Sequence, residues 1–206
     1  MEVTPSEKSF AATLQAGNLA RITAFAKADR HCHSGLSASL QSIEKWAGAS
    51  IRKAPARMGS FDQMRQYMHE VLYPYIDNRP GIEFTAEQSI REAIQDGVTV
   101  LEMSLDVRFI RSYPAHGTGF FDFIRTLRGK YARSIDFRPE IGISKNRPPL
   151  EEIPLALDCL ATVLFKSIDL YGNEDAHPPE AYKALYQEAK RLGVKLKAHV
   201  GEFGNA

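Results

Sequence analysis

The sequence is poor in three features, and each shortage excludes a class of protein. Two cysteines in 206 residues, Cys32 and Cys159, are too few for a disulfide framework and fit a reducing compartment. The 26 basic and 25 acidic residues leave a net charge of +1, which argues against nucleic acid or anionic membrane as the main partner. No apolar run approaches the roughly 18–20 residues of a membrane span, and residues 1–15 do not resemble a signal peptide. We therefore expect a cytoplasmic protein.

Short apolar runs alternate with longer amphipathic segments along the rest of the chain. The apolar runs predict strands at 25–33, 98–107, 135–143, 163–170 and 194–200. The amphipathic segments predict helices at 39–46, 61–75, 84–95, 119–133, 150–162 and 179–192, with Thr85 as N-cap of the third. This alternation is typical of βαβ units and a parallel sheet, and it predicts an α/β fold.

A parallel sheet of this kind can be an open doubly wound sheet or a (β/α)8 TIM-type barrel. An open sheet would favour a glycine-rich phosphate turn after the first strand, and the G-x-G-x-x-G pattern is absent there. The chemically distinctive residues lie at the carboxyl ends of the first and last strands, which is where the active site of a (β/α)8 barrel forms. We expect one domain over residues 1–206, an incomplete barrel with about five strand units and an N-terminal helical extension at 1–24.

Two histidines close the first predicted strand. Residues i and i+2 of a strand point to the same side, so the imidazoles of His31 and His33 can face one metal ion. Neutral imidazole is a good zinc ligand. Histidines at this spacing also occur as structural residues, so the pair alone does not decide between the two interpretations.

Two further segments follow the last two predicted strands. His199 continues the alternation of the final strand, and Gly201 allows a sharp turn that can direct Glu202 back across the strand mouth. The segment 169–174, D-L-Y-G-N-E, closes the preceding strand, and its glycine, Gly172, can let a ligand approach the backbone. Each segment on its own also fits an ordinary loop or strand-to-helix turn.

Taken together, the three segments resemble the adenosine deaminase family of the amidohydrolase superfamily. The resemblance rests on A-D-R-H-C-H at 28–33, I-D-L-Y-G-N-E at 168–174 and A-H-V-G-E at 198–202. The order and spacing of these motifs cover nearly the whole chain. The second and third motifs are quite specific to the family, whereas H-x-H is shared by many amidohydrolases.

The resemblance implies a role for each of five residues. His31, His33 and His199 would bind one Zn²⁺ ion, and Glu202 would be the catalytic acid/base. The backbone N–H of Gly172 would donate a hydrogen bond to the purine. The ligand would thus be a small purine nucleoside or base.

The implied reaction is the hydrolytic deamination of adenosine or a related purine, which replaces an amine with a carbonyl and releases ammonia. Zinc lowers the pKa of bound water, so hydroxide exists near neutral pH and can attack the ring carbon that carries the amine. Protonation of a ring nitrogen makes this attack feasible. Glu202 can supply the proton if burial keeps its carboxyl group protonated.

The sequence departs from the family pattern in two places. The family usually continues H-x-H with L-D-G, whose Asp contacts the ribose, but Ser34, Gly35 and Leu36 follow His33 here. This favours a modified nucleoside, a bare purine base or another amine-bearing ring over adenosine. The family's water-orienting His and the Asp that completes its zinc site would lie beyond Ala206, so we expect the chain alone to be inactive or nearly so. It would then be a fragment, a cleaved chain or a protein whose C-terminal half is a separate polypeptide.

Two alternative functions are compatible with the same residues. The first is another amidohydrolase activity on a different amide or amine, which a panel of substrates monitored for ammonia would distinguish. The second is a non-catalytic barrel fragment used for binding or assembly. Stoichiometric zinc that is lost in His31→Ala would disfavour this second alternative.

Overall fold

A computed structural model of the protein describes residues 5–114 and 117–202, so residues 1–4 of the expected N-terminal extension lie outside it. The strands are β1 (Lys27–His33), β2 (Val98–Asp106), β3 (Asp136–Ser144), β4 (Ser167–Tyr171) and β5 (Lys195–Ala198). The α-helices are α1 (Pro5–Gln15), α2 (Leu19–Ile22), α3 (Leu40–Ala47), α4 (Phe61–Tyr67), α5 (Tyr73–Ile76), α6 (Arg79–Gln95), α7 (Thr118–Tyr131), α8 (Pro149–Ala161) and α9 (Lys183–Arg191). A π-helical turn (Met68–Leu72) joins α4 to α5, and 3-10 turns (Val107–Ser112 and Pro179–Tyr182) follow β2 and precede α9.

All five strands pair in parallel, and their order in the sheet is their order in the chain. A doubly wound sheet reverses its strand order at a switch point, so this sequential order excludes that alternative for the described strands. The architecture is a parallel five-stranded half-barrel with helices between successive strands.

The strands alternate apolar and polar positions, and the two sets face opposite sides of the sheet. On β2, Leu101 and Met103 belong to the main apolar core together with helix residues such as Ile90 and Phe120. The opposite, concave side carries polar side chains, namely the buried Glu102 and Ser104 of β2, Glu140 of β3, Ser167 and Asp169 of β4, and the half-buried Lys197 of β5. The concave side is therefore the polar side of the sheet, as a site requires.

A second, smaller apolar core lies between α3 and the helical segment from α4 to α6. Its buried members are Ala38, Ile43, Ile51, Tyr67, Met68, Leu72 and Ile76. The ring of Trp46, the only tryptophan in the sequence, stacks on the ring of Phe84 in α6, with centroids 4.7 Å apart and planes inclined by 10°. This core borders the cavity described below, because Met68 contributes to both.

Two local predictions from the sequence are wrong. Thr85 is not an N-cap: α6 begins earlier, Asn78 accepts a hydrogen bond from the Gly81 amide, and the Thr85 hydroxyl donates to the Gly81 carbonyl at 2.9 Å inside the helix. Asn and proline are strong helix-start signals that outweigh a threonine within the helix. Val163 is not in a strand either, because it adopts a left-handed turn (φ +57°) and is 81% exposed.

No helix in residues 5–114 and 117–202 combines the length and the apolar character needed to cross a lipid bilayer.

Candidate metal centre and active site

Three imidazoles from the two ends of the chain meet on the concave side of the sheet. The Nε2 atom of His31 lies 3.3 Å from Nε2 of His33 and 3.0 Å from Nε2 of His199. A tetrahedral zinc ion with Zn–N bonds of 2.0–2.1 Å places its ligand atoms about 3.3 Å apart. The spacing of the three nitrogens therefore fits a shared zinc ion.

An irregularity in β1 places the first two histidines. Asp29 pairs with Leu101, but the next paired residue, Cys32, faces Met103, so β1 carries one more residue than β2 over this interval. Such a bulge re-aims side chains near sites. The amide of His31, which lies in the bulge, donates to Oδ1 of Asp29 at 3.1 Å.

Asp169 joins the three histidines as a fourth potential ligand. Its side chain is only 1% exposed, and Oδ1 lies 3.4 Å from Nε2 of His199. Oδ2 lies 3.9 Å from Nε2 of His33 and 4.0 Å from Nε2 of His31. Neither carboxylate oxygen makes a hydrogen bond within the described residues. Since buried carboxylates are normally paired, hydrogen-bonded or bound to metal, these orphaned oxygens fit a metal ligand.

The four residues form a donor set that suits zinc. Their ligand atoms all lie within 4.8 Å of one another. Three imidazoles and one carboxylate are ligands that zinc accepts. Sequence reasoning assigned no role to Asp169. The signal that could have found it is the two-residue alternation of β4, which puts Asp169 on the same side as Ser167 and Tyr171.

Glu140 contacts the ring nitrogen of His31 that does not face the other two histidines. Oε2 of Glu140 lies 3.2 Å from Nδ1 of His31, and because a carboxylate only accepts, Nδ1 is the donor in this contact, which in the neutral imidazole leaves the lone pair on Nε2. The side chain of Glu140 is fully buried. Its Oε1 accepts from the hydroxyl of Ser167 and from Nζ of Lys197, both at 2.5 Å. The sequence analysis did not single out Glu140, because an acidic residue within a strand is not distinctive by itself.

The surroundings of the three histidines shift their pKa values in different directions. The hydrogen bond to Glu140 raises the pKa of His31, whereas burial lowers the pKa of His33. The Asp169 carboxylate raises the pKa of His199 to about 9. Burial alone would raise the pKa of Asp169, but His199 and its other polar neighbours bring it below its ordinary value. A bound cation would compete with the proton on His199.

Glu202 and Gly172 lie at the rim of the same cluster. Oε2 of Glu202 is 2.8 Å from Nδ1 of His199. The Glu202 side chain is 43% exposed, so the described residues do not bury it as the acid/base role led us to expect. Gly172 has φ +101°, and its N–H donates to no other residue in the part of the chain that the structure describes.

An open cavity of about 290 Å³ connects these groups. It is lined by His33, His199, Glu202 and Gly172 on the metal side, and by α4, the π-helical turn, the first residue of α5 and the loop after β3 on the others. This volume is at the lower end of the range for small-molecule sites. A ligand in it would touch the metal cluster, the proposed acid/base and the free amide together.

Comparison with known proteins agrees with the geometry, although no protein-family profile matches the chain. One curated relative is a protein of Treponema pallidum (strain Nichols) whose name assigns it to the adenosine/adenine deaminases. It is 32% identical over 180 residues, which are 87% of this chain and 60% of that protein. Over the part of these relatives that it spans, the chain is similar to adenosine deaminases. Adenosine deaminase of Streptococcus agalactiae serotype III (strain NEM316) is 26% identical over 208 residues, or 88% of this chain and 58% of that protein. The chain spans about 60% of the length of these curated relatives.

Solved structures show the same fold at low sequence identity. A zinc-bound amidohydrolase from Burkholderia ambifaria superposes with a TM-score of 0.65 at 19% identity, covering 98% of this chain and 56% of that chain. The N6-methyl-AMP deaminase of Arabidopsis thaliana gives 0.66 at 17% identity, with coverage of 91% and 61%. An Arabidopsis ADAL structure in complex with GMP gives 0.67 at 16% identity, with coverage of 90% and 61%.

The chain differs from the usual family pattern in the wall of the cavity next to His33. Ser34, the first residue of the segment that stands in place of the family's L-D-G, is buried, and a carboxylate that lines the adjoining cleft is that of Asp106 at the end of β2. Asp106 already accepts from the Tyr171 hydroxyl at 2.6 Å and from Nε of Arg108 at 3.0 Å. The carboxylate of Asp106 is therefore already paired with neighbouring side chains and is not free to replace the missing Asp.

Proposed function

We propose that this chain carries the metal-binding and acid/base residues of a zinc-dependent hydrolase that deaminates a purine. The observation that supports this most strongly is the convergence of three imidazoles and a buried carboxylate at the wall of a cavity that Glu202 and Gly172 also line. Similarity to proteins named as adenosine and adenine deaminases supports the same reaction class.

The metal-binding role falls to His31, His33, His199 and Asp169. When bound, zinc supplies a Lewis acid that lowers the pKa of a water molecule and provides a nucleophile near neutral pH. Glu140 accepts a hydrogen bond from Nδ1 of His31 and so directs Nε2 of that ring towards the metal ion. The carboxylate of Asp169 would offset part of the charge of the dication.

Glu202 is the proposed carrier of protons. Its carboxyl group lies beside the His199 ring at the cavity wall, so a purine in the cavity would cover it. It would give a proton to a ring nitrogen of the substrate and take one from the water that adds to the ring carbon. In the balanced reaction, water adds at the carbon that bears the amine, the carbon becomes a carbonyl and the amine leaves as ammonia.

Gly172 is the proposed recognition group for the purine. Among the described residues its amide has no hydrogen-bond acceptor, and its positive φ allows the backbone to approach a ligand closely. The relatives are named for adenosine, adenine and N6-methyl-AMP, which share the purine ring and an amine at the same carbon. Because the Asp of L-D-G is replaced, we propose a purine base, a modified nucleoside or a nucleotide ahead of adenosine as substrate.

We propose that full activity also needs the portion of the relatives that this chain does not span, and that this portion completes the (β/α)8 barrel. Ammonia release should be measured from adenine, adenosine, AMP and N6-methyl-AMP, both for the chain alone and for a chimera that continues into the remaining part of the Treponema pallidum relative. Zinc content should be measured on the same samples.

Three variants test the assignments. Glu202→Gln should keep zinc and lose turnover, His31→Ala should lose zinc, and the exposed carboxylate variant Glu180→Gln should change neither. Turnover by Glu202→Gln at the wild-type rate would remove Glu202 from the mechanism. Absence of ammonia release from every purine in both samples would contradict purine deamination itself.

A further inference from the structure

The carboxylate of Glu174 bridges two loops at the rim of the site. Glu174 lies in the loop after β4, and it accepts two backbone hydrogen bonds from the turn after β5. Oε2 accepts from the amide of Gly201 and Oε1 from the amide of Glu202, each at 2.8 Å. One side chain thus holds the backbone of the residue that we propose as acid/base.

The turn that carries Glu202 has little other support within the described residues. The last strand ends at Ala198, Val200 is 80% exposed, and Gly201 adopts a left-handed conformation with φ +75°. Successive amides in such a turn form a small concavity that attracts an anion. Charge-assisted hydrogen bonds to a carboxylate are about twice as strong as neutral ones. The two bonds to Glu174 are therefore the main restraint that fixes this turn.

Glu174 itself is fixed by the end of β3. Nζ of the buried Lys145 donates to the carbonyl of Glu174. The side-chain oxygen of Asn146 accepts from the amide of Asn173 at 3.0 Å. The same short loop begins with Gly172, so the proposed purine donor and the group that holds Glu202 are two residues apart on one anchored segment.

We propose that Glu174 is a positioning residue that sets the location of Glu202 relative to the metal cluster and to the amide of Gly172. The inference rests on the proposed role of Glu202. A general acid must lie within hydrogen-bond reach of the atom that it protonates, so a turn free to shift by about 1 Å would lower the rate. Glu174 would act on the rate of the chemical step and would contribute little to zinc or purine binding.

The test compares the zinc-loaded chimera, which continues into the remaining part of the Treponema pallidum relative, with its Glu174→Gln variant, in which the side chain keeps its size but loses its charge and one of its two acceptors. Glu180→Gln is the matched control, because Glu180 is an exposed carboxylate six residues further on. Protein labelled with ¹⁵N-glycine reports the amide of Gly201 directly, and Gly193 serves as a reference glycine outside the site. Zinc stoichiometry, kcat and KM are measured on the same variants.

We expect the Gly201 amide proton to move upfield in Glu174→Gln and to stay in place in Glu180→Gln, while Gly193 is unchanged in both. We expect kcat to fall about 10- to 100-fold with KM within about twofold of wild type and with zinc retained. An unmoved Gly201 resonance, an unchanged kcat, or loss of zinc from Glu174→Gln would each overturn the proposal.

The failure of this proposal can be told apart from failure of the proposed function. If the wild-type chimera shows no deamination, the proposed function is wrong, and the Gly201 resonance still decides whether Glu174 holds the turn. If the wild-type chimera is active and its Glu174→Gln variant matches it in both rate and resonance, the positioning role alone is wrong.

Discussion

Nε2 of His31 and Nε2 of His199 lie 3.0 Å apart, although 168 residues separate the two histidines in the sequence. His31 is in the first strand of the sheet, and His199 follows the fifth. In a flat sheet, four strand spacings would separate them by about 19 Å. The sheet must therefore curve strongly, and the bond from Nζ of Lys197 to the carbonyl of Arg30 (2.7 Å) spans the same gap.

Removal of the charge on Glu140 should weaken zinc binding without removing a ligand. Glu140→Gln keeps the shape of the side chain but offers Nδ1 of His31 a weaker, neutral acceptor. Outer-shell changes of this kind typically cost about 10- to 100-fold in metal affinity. Zinc competition against a chromogenic chelator measures the effect.

Glu102→Gln is the control for that experiment. Glu102 is similarly buried and bonds to the same Lys197 at 2.5 Å, but it makes no contact with His31. It should retain the wild-type affinity. Equal losses in both variants would mean that the buried charge network, rather than the orientation of His31, determines zinc binding.

Asp169→Asn should weaken zinc binding by about tenfold or more, because an amide oxygen replaces an anionic donor in a buried site. In the metal-free protein, the same change should lower the pKa of His199 from its value of about 9, since Asp169 is the main cause of that increase. Zinc competition and an NMR titration of the histidine ring measure the two effects. The control is Asp106→Asn, which alters a neighbouring carboxylate outside the cluster. Unchanged zinc affinity in Asp169→Asn would exclude Asp169 as a ligand.

Zinc affinity should increase as the pH rises through the neutral range. His199, with a pKa of about 9, is protonated below that pH in the metal-free protein, and zinc binds only the neutral imidazole. The raised pKa of His31 acts in the same direction. Zinc binding at pH 7 should thus release protons, which calorimetry in buffers of different ionisation enthalpy counts. An affinity that does not change between about pH 6 and pH 9 would contradict the assigned cluster.

Gly172→Ala should destabilise the protein and impair purine binding. Its φ of +101° is unfavourable for alanine, and an added Cβ would lie 3.0 Å from Nδ2 of Asn146. Gly193→Ala is the matched control, since Gly193 also has a positive φ (+70°) but no atom within 4 Å of an added Cβ. Each change should cost about 1–3 kcal/mol in urea unfolding, with the larger loss at Gly172. Only Gly172→Ala should raise the KM for the purine; equal KM values in the two variants would dissociate Gly172 from substrate recognition.

The sequence predicts the strands well because their apolar positions recur with a two-residue period. All five expected strands are present. The first histidine pair and His199 lie at strand ends, where the active-site residues of parallel-sheet barrels are usually located. The sequential strand order could not be predicted from periodicity, since an open sheet uses the same alternation of strands and helices.

The roles of Asp169 and Glu140 could not be assigned from the sequence alone, although the alternation of β4 indicates which side of the sheet Asp169 shares with Ser167 and Tyr171. Each lies inside a strand, and its role depends on which side of the sheet it faces and on how far the sheet curves. The two bonds from Glu174 to the turn at Glu202 depend on the separation of two loops 27–28 residues apart in the chain. These distances are set by tertiary packing, which no local pattern records.

The stacked pair of Trp46 and Phe84 gives this protein an optical reporter of its own. Because the chain contains no other indole, emission excited at wavelengths that tyrosine does not absorb originates from one known position, where α3 meets α6 beside the cavity. Quenching or a change in emission wavelength on ligand addition would register movement of these helices without any attached dye. Binding can in this way be followed even for variants that no longer turn over.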